Sequence, residues 1–523
     1  MILFILNTNN KERSMVKVIA TLALNGIDGI PVSVETSRFP SASPRVVLIG
    51  LPDTAVKEAL ERVHTAARSS AIPLQTGNVT VNLAPADVKK EGSSFDLPIL
   101  ISMVDEEKSG RLDTKGKAFA GELSLTGEVK PINGALSMAI AAREAGLTEI
   151  YLPEANAPEA SAADGIDVYP VKNVIQLCRH LRGEEKIQKT LFSYDEFTAS
   201  TAAGFLDYAD VKGQDTAKKA IEIAAAGCHN ILLIGPPGSG KSMLASRIPS
   251  ILPPLTIAEA IETTKIHSVA GVLKPGVSLI SLRPFRSPHH TMSPASLAGG
   301  GKNPKPGEIS LAHNGVLFLD EFPEFDRPSS EVLRQPLEER VIHITRVNGT
   351  VTYPASFILV CAMNPCRCGW FGHPVRKCTC TPASRSAYVS KISGPLLDRI
   401  DIQTEVPSLD YAELSNFKPA ESSAEIRKRI VKAREFAASR FGNPAMANGL
   451  MTPSQIRKYC ILDDGGNELM KKAYTAQSLT ARSYDRILKV ARTVADFDFS
   501  EDIKKRHVAL ALQLRTLDKK YFN

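Results

Sequence analysis

The chain has 523 residues, of which 43% are hydrophobic and 23% charged, and its formal net charge is +7 at pH 7. A chain of this length is too long to fold around a single hydrophobic core, so we expect two to four domains. The mild positive charge permits a nucleic-acid partner without establishing one. No apolar run approaches the roughly 20 residues that span a bilayer, and the short run Ile2–Leu6 does not make a secretory signal, so we expect a cytoplasmic protein without a membrane partner.

The first part of the chain alternates short strands with helices. We interpret Met1–Ser14 as a leader that is non-native or disordered, because the patterned sequence begins near the second methionine, Met15. The expected strands are Val32–Thr36, Arg45–Ile49, Val79–Leu83 and Glu149–Leu152. The expected helices are Asp53–Ser69, with Asp53 as N-cap, and Ala135–Ala145, which ends at Gly146.

The sequence pattern divides the chain into three domains without an internal repeat. A first domain is expected over residues 15–182 and a polar linker over 183–205. A second domain, which opens with the strand Asn230–Ile234, is expected over 206–407. Residues 408–523 have almost no strand pattern and several amphipathic stretches, so we expect a helical C-terminal domain.

A phosphate-binding loop follows the strand that opens the second domain. Its eight residues match the pattern G-x-x-x-x-G-K-[ST] and are Gly235, Pro236, Pro237, Gly238, Ser239, Gly240, Lys241 and Ser242. A helix-compatible run, Met243–Ile248, comes directly after the loop. In such loops backbone N–H groups surround the phosphates, the lysine pairs with the β- and γ-phosphates, and the hydroxyl binds Mg²⁺. The alternative is a structural glycine-rich turn. We predict ATP and Mg²⁺ as cofactors.

Two further strands end in polar side chains that suit phosphate chemistry. The apolar run from Gly315 ends in Asp320 and Glu321, and ligands bind where parallel strands end. Asp320 is expected to hold Mg²⁺ through water, and Glu321 to polarise the attacking water. The strand Phe357–Ala362 leads to Asn364, whose amide either positions that water or simply forms a turn.

Four further segments of the chain form recognisable motifs: Phe285–His290, Gly299–Gly301, Pro306–Ile309 and Ser393–Asp401. In these segments the chain resembles the magnesium-chelatase-like AAA+ proteins, and more narrowly the YifB/ComM family of bacteria. The resemblance implies an α/β fold. It comprises an AAA+ P-loop domain, with a parallel sheet between helices and a helix-2 insert between Pro284 and Pro306. A Lon-protease-like α+β domain precedes it and an α-helical lid follows it. Val341–Pro354, with Asn348-Gly349 at its centre, is expected to form this clade's β-hairpin.

The resemblance also assigns roles to single residues. Asn364 matches sensor 1, Arg399 matches the arginine finger, and Arg482 matches the sensor-2 arginine of the lid. An arginine supplied in trans implies a homo-oligomeric ring, for which the resemblance implies six subunits. The alternatives are a salt bridge from Arg399 to Asp398 or Asp401, and a solvent-facing Arg482 with Arg486 as the competing candidate.

Residues Val79–Leu152 contain two characteristic segments, Lys90–Phe95 and Gly121–Ile132. Through these segments they resemble the proteolytic domain of Lon-type proteases. Ser94 occupies the position of the nucleophile, and the lysine that should activate it falls at Leu136. A serine without a base at hydrogen-bond distance is a poor nucleophile. We therefore predict a non-proteolytic domain that serves DNA contact or assembly.

Four of the eight cysteines lie within 15 residues: Cys366, Cys368, Cys378 and Cys380. Four thiolates suit tetrahedral Zn²⁺, although the Cys-x-Cys spacing is tighter than the usual two-residue gap. The cluster is therefore interpreted as a structural zinc site, with reduced free thiols as the alternative.

The resemblance favours a DNA translocase that acts on single-stranded or branched DNA, and by analogy on DNA taken up in natural transformation. Four basic residues of the insert and the hairpin are candidates for phosphate contact: Lys302, Lys305, Arg340 and Arg346. Solvated surface charges are the alternative for these four. Two other functions stay open, namely a porphyrin-directed metal-insertion ATPase and an ATP-gated scaffold.

Overall fold

The computed structural model describes residues 16–41, 43–200, 206–301, 304–346, 349–409, 420–477, 479–515, 517 and 520–521. The leader predicted at 1–14 lies outside these residues. The chain divides into two compact units, of which the first comprises residues 1–197 and 260–280, and the second residues 198–259 and 281–523. Among the described helices, none combines the length and the apolar character that crossing a bilayer requires.

The first unit is built on a seven-stranded mixed sheet. Its strands are β1 (Lys17–Asn25), β2 (Asp28–Phe39), β3 (Arg45–Ile49), β4 (Asn78–Ala84), β5 (Lys117–Phe119), β6 (Glu122–Leu123), β7 (Val129–Lys130), β8 (Glu149–Pro153) and β9 (Asp167–Val171). The sheet order is β3-β4-β2-β1-β5-β8-β9, while β6 and β7 form a separate ribbon. The strands β1, β2 and β4 pair antiparallel, and the remaining pairs of the sheet are parallel.

The helices of this part of the chain are α1 (Thr54–Ser69), α2 (Asp96–Met103), α3 (Glu106–Ser109), α4 (Ala135–Glu144), α5 (Ala157–Ala160), α6 (Val174–Leu181) and α7 (Tyr194–Ser200). The predicted N-cap is confirmed, because the Asp53 carboxylate accepts a hydrogen bond from Val56 N at 2.8 Å. Every residue of α2 is buried, and one of them, Asp96, is held by Arg62 at 2.7 Å. Burial of a carboxylate is stabilised only by such a partner.

The second unit contains a five-stranded parallel sheet, as predicted. The strands of this unit are β10 (Ile231–Ile234), β11 (Phe285–Arg286), β12 (Gly299–Gly300), β13 (Lys305–Pro306), β14 (Val316–Leu319), β15 (Val341–Arg346), β16 (Gly349–Pro354), β17 (Ile358–Met363) and β18 (Ile402–Glu405). The sheet order is β11-β14-β17-β10-β18, and all four pairs are parallel. The strands β10, β14 and β17 are buried at every residue, which explains their continuous apolar sequences.

The helices in this stretch of the chain are α8 (Asp215–Gly227), α9 (Lys241–Ser246), α10 (Ile248–Ile251), α11 (Ile257–Ala270), α12 (Pro294–Ala298), α13 (Glu308–Leu311), α14 (Arg327–Glu331), α15 (Arg334–Glu339), α16 (Pro382–Val389) and α17 (Gly394–Leu397). Most of α11 belongs to the first unit. The predicted hairpin is confirmed, since β15 pairs antiparallel with β16 and Arg346 stands opposite Gly349. Its turn residue Asn348 lies outside the described residues.

The C-terminal part of the second unit is helical, as predicted. Its helices are α18 (Ser423–Phe441), α19 (Pro453–Tyr459), α20 (Asp464–Gln477), α21 (Ala481–Phe497) and α22 (Lys505–Gln513). The fully buried Asp496 of α21 accepts hydrogen bonds from Arg440 at 2.5 Å and from Arg492 at 3.1 Å. Two helices are thereby joined through one carboxylate.

Three features differ from the sequence interpretation. Strand β1, for which no strand was predicted, pairs along its whole length with β2. Within the stretch interpreted as a linker, Thr190 bridges to Val168 and helix α7 forms. Residues 260–280, assigned by sequence to the P-loop domain, group with the first unit, where Ser268 Oγ accepts a hydrogen bond from Gly134 N at 2.9 Å.

Candidate nucleotide-binding site

The predicted site residues converge at one edge of the second sheet. The glycine-rich loop leaves β10 at Gly235, Asp320 follows β14, and Asn364 follows β17. Because β17 lies between β10 and β14 and all three strands run parallel, their carboxyl ends meet at this edge. The fold therefore assembles residues separated by more than 100 positions in the sequence.

The loop Gly235–Ser242 offers an open cradle for an anion. Gly238 and Gly240 have φ angles of +76° and +90°, and a Cβ added at either would meet no atom within 4 Å. At Gly235, by contrast, an added Cβ would lie 2.1 Å from Val406 O. Glycine is required there by close packing, and at the other two positions by backbone conformation. Such a run of backbone N–H groups around free space fits phosphate oxygens.

Lys241 lies inside this loop and bonds to its carbonyls. Its Nζ donates to Gly235 O at 2.8 Å, to Pro236 O at 2.9 Å and to Asn364 Oδ1 at 3.2 Å. Burial lowers the pKa of Lys241 to about 8, although Asp320 and Glu321 oppose the shift. The ammonium and the amide predicted to serve one reaction are thus in direct contact.

A hydrogen bond joins Ser242, at the end of the loop that follows β10, to Asp320, which follows β14. The Ser242 hydroxyl donates to Asp320 Oδ2 at 2.7 Å, and Asp320 Oδ1 accepts from Glu321 N at 2.9 Å. Hydroxyl and carboxylate oxygens are the ligands that Mg²⁺ prefers. Their chemistry and proximity fit the predicted metal.

Glu321 occupies an unusual backbone position. Its φ is +49°, which few non-glycine residues adopt, and its side chain is 59% exposed, with Oε2 3.6 Å from His290 Nδ1. Strained residues of this kind cluster at functional sites. His290 belongs to the Phe285–His290 segment that carries the family resemblance, but no role was predicted for it from the sequence.

The three arginine candidates have different environments. Arg399 is buried, donates to Pro395 O at 2.6 Å, and pairs with Glu338 rather than with Asp398 or Asp401, the two partners weighed from sequence. Arg486 pairs with Asp401 at 2.6 Å. Arg482 is exposed, and no side-chain bond is recorded for it among the described residues. Arg482 is therefore the better placed of the two lid candidates to meet a ligand.

Burial and charge act in opposite directions on Asp401. Burial raises the pKa of its carboxyl group, but Arg486, His229 and Asn230 N outweigh that effect and hold the pKa well below its usual value. Asn230 N donates to Asp401 Oδ2 at 3.0 Å. Asp401 thereby anchors the start of the P-loop strand region.

Two residues that sequence reasoning missed support the loop from behind. Gln214, with φ +60°, donates through Nε2 to Ser239 O at 3.2 Å and to Pro407 O at 2.6 Å. Tyr208 is buried and donates to Leu244 O at 2.8 Å. In the sequence, the Gly213-Gln214 pair before α8 indicates a turn. The sequence does not show that Gln214 bonds to Ser239, because the two residues are more than 20 positions apart.

Two of the four basic residues proposed for DNA contact have described side chains, namely Lys305 and Arg340. Lys305 is exposed, whereas Lys302 and the side chain of Arg346 lie outside the described residues. Arg340 requires a correction, because it is half-buried at the end of α15 and donates to Phe357 O at 3.0 Å. Its guanidinium is bonded to a backbone carbonyl, so we no longer include Arg340 among the candidates for contact with DNA phosphates.

In the first unit, the residues at the positions expected for Lon catalytic groups are buried. Ser94 is buried, and Leu136, the position expected for the lysine, is fully buried in α4. Lys90 is also fully buried and donates through Nζ to Pro85 O. The position that aligns with the catalytic base carries an apolar side chain.

Comparisons with known proteins agree with this geometry. Three family models match the chain: magnesium chelatase, subunit ChlI, over residues 207–414; subunit ChlI of Mg-chelatase over residues 34–156; and magnesium chelatase, subunit ChlI C-terminal, over residues 420–515. The uncharacterized protein YifB of Salmonella typhimurium is 38% identical, and competence protein ComM of Haemophilus influenzae is 39% identical. Each alignment covers 96% of this chain and 97% of the relative.

The chain belongs to the YifB/ComM family of magnesium-chelatase-like proteins. It is accordingly an AAA+ ATPase, a class that uses ATP and Mg²⁺. Lon protease 4 of Sorangium cellulosum is 31% identical over 159 residues, which cover 28% of this chain and 19% of that protease. The similarity is confined to a part of each protein and supports a Lon-like fold in this chain.

Proposed function

We propose that this chain is one subunit of a cytoplasmic, ATP-driven ring motor that acts on single-stranded or branched DNA, as a helicase or branch-migration translocase. The observation that carries the proposal is the convergence of Lys241, Ser242, Asp320 and Asn364 at one sheet edge. One relative is named a competence protein, which supports a role in DNA uptake and recombination.

Each side chain at this edge has a distinct task. Bound ATP with Mg²⁺ supplies the phosphoryl group that water attacks. Lys241 would exchange its bonds to the loop carbonyls for bonds to the terminal phosphates. Ser242 would hold the metal directly, and Asp320 would hold it through water. Glu321 orients the water, and Asn364 holds the γ-phosphate side of the pocket. These roles match those of the corresponding residues in P-loop ATPases generally.

The pocket is completed by a neighbouring subunit in this proposal. Arg399 would leave Glu338 and reach the neighbour's nucleotide, and Arg482 of the lid would contact the nucleotide held by its own chain. Positive charge at the transferred phosphoryl group contributes orders of magnitude to the rate of P-loop hydrolases. A ring of identical subunits, six in this class, supplies one such arginine to every pocket.

A mixing experiment tests the trans role. Lys241→Ala and Arg399→Ala proteins are each expected to be inactive, while an equal mixture regains about a quarter of the wild-type ATPase, because random assembly pairs intact halves at that frequency. Lys241→Ala mixed with itself under the same conditions is the control. A mixture as inactive as its components would contradict the composite pocket.

The hairpin β15–β16 is the surface we assign to DNA. Its two faces differ: Ile342, Ile344 and Tyr353 are buried, whereas His343 and Thr352 are exposed and bonded to each other at 2.8 Å. The buried face packs on the ribbon β12–β13, where Tyr353 donates to Pro304 O at 2.7 Å. The hairpin and the ribbon that carries exposed Lys305 therefore form one body.

ATPase measurements with and without single-stranded and branched DNA test the function. Stimulation by DNA that is lost in Lys241→Ala supports a DNA motor. Stimulation by a porphyrin complex instead of DNA would favour metal insertion, and negligible turnover under all conditions would favour a scaffold. Lys305→Ala should lower DNA affinity and reduce the slope of log affinity against log salt by about 0.7 on single-stranded DNA and about 0.9 on duplex DNA, whereas exposed Lys274→Ala is the matched control.

A further inference from the structure

The loop that follows β17 brings four thiols together. The Sγ atoms of Cys366, Cys368 and Cys378 lie 3.4, 3.7 and 3.6 Å apart. With Cys380 included, all four Sγ atoms lie within 4.8 Å of one another. A disulfide needs a separation of about 2.05 Å, so the four side chains are thiols. They come from two ends of one loop that folds back on itself.

This spacing fits a tetrahedral metal site. Four thiolates at about 2.3 Å from one Zn²⁺ place their sulfur atoms about 3.8 Å apart. The backbone N–H group of Cys380 donates a hydrogen bond to Cys378 Sγ at 3.4 Å. Hydrogen bonds of this kind orient the ligands and stabilise their negative charge.

The same loop contacts the nucleotide site. Gly369 has φ +83°, and a Cβ added there would lie 2.5 Å from Pro237 Cδ in the P-loop. Asn364, which contacts Lys241, lies two residues before Cys366. Helix α16 in turn begins two residues after Cys380.

We infer that Cys366, Cys368, Cys378 and Cys380 bind one Zn²⁺, which fixes this loop against the P-loop and holds Asn364 in place for ATP hydrolysis. The metal joins the end of β17, the segment that touches Pro237 and the start of α16. The metal adds to the contacts already present in this loop, which include the close approach of Gly369 to Pro237 and the Arg385 guanidinium 4.4 Å from the centre of the Phe371 ring. The metal site stands on the thiol geometry alone, while its effect on hydrolysis rests on the proposed function.

Metal analysis of the full chain, purified without chelators, tests the site. We expect about one zinc per chain in the wild type and in Cys460→Ala, which removes a cysteine outside the cluster, and loss of zinc in Cys368→Ser and Cys378→Ser. Replacement of zinc by Co²⁺ in the wild type should give the absorption of tetrahedral cobalt thiolate, which does not depend on the folding of any variant. Absence of stoichiometric zinc together with absence of that spectrum would overturn the site.

A second set of measurements tests the coupling to the nucleotide site. Trp370, the only tryptophan of the chain, lies in this loop under the Arg376 guanidinium at 4.4 Å. Zinc removal should change its fluorescence and lower the ATPase rate by about 10–100-fold, as expected for a shift of about 1 Å in catalytic groups, and zinc return should restore both. A zinc-free protein with unchanged turnover would refute the coupling. A zinc-loaded protein that neither binds nor hydrolyses ATP would refute the proposed function and leave the metal site intact.

Discussion

Gly369→Ala tests the contact between the cysteine loop and the P-loop. The added Cβ would lie 2.5 Å from Pro237 Cδ, whereas carbon atoms in contact are about 3.5–4.0 Å apart. Either the loop or Pro237 must therefore move by about 1 Å. Overpacking of this kind costs about 1–3 kcal/mol. If the P-loop takes up the movement, kcat/KM for ATP falls by about 5–150-fold.

Gly372→Ala is the matched control for this substitution. Gly372 lies in the same loop with φ +77°, but a Cβ added there meets no atom within 4 Å. Both variants carry a left-handed alanine, which costs about 1–2 kcal/mol, so their thermal unfolding should show a shared loss of stability. Steady-state ATPase and binding of a fluorescent ATP analogue should separate them. Equal kinetics in the two variants would refute the argument that this contact positions the P-loop.

Three other predictions follow from single side chains. Because the pKa of Lys241 is about 8 without nucleotide and phosphate binding needs the ammonium, ATP affinity should fall as pH rises above 8; titration of the binding constant checks this, and a flat profile would contradict it. Arg399→Ala should abolish turnover and spare ATP binding, whereas Glu338→Ala, which removes its partner, should keep turnover; equal loss in both would assign Arg399 a structural role. Asp401→Asn should lower the free energy of unfolding by about 3–5 kcal/mol at pH 7. The stability from this depressed pKa is present above the unfolded-state value of about 4 and is lost as pH falls below it, so denaturant unfolding should show a smaller difference at pH 2 to 3.

Local pattern was sufficient for the elements that carry the site. The strand Arg45–Ile49 was predicted at its observed bounds, and helix α1 begins after its predicted cap at Asp53. Buried parallel strands are continuously apolar, and phosphate loops need glycine at fixed positions. The P-loop and the Asp320–Glu321 pair were therefore visible in the sequence without any knowledge of the fold.

Only the tertiary structure decided which side chains are free to contact a ligand and which are paired within the protein. Arg340, Arg399 and Arg486 look alike in the sequence, yet the fold gives each a different partner. His290 meets Glu321, and Gly369 meets Pro237, only because separate loops reach the same sheet edge. The sequence thus determined residue chemistry and local conformation, which depend on neighbours along the chain. The pairing of charges and the packing between loops depend on contacts across 17 or more positions, which no local pattern records.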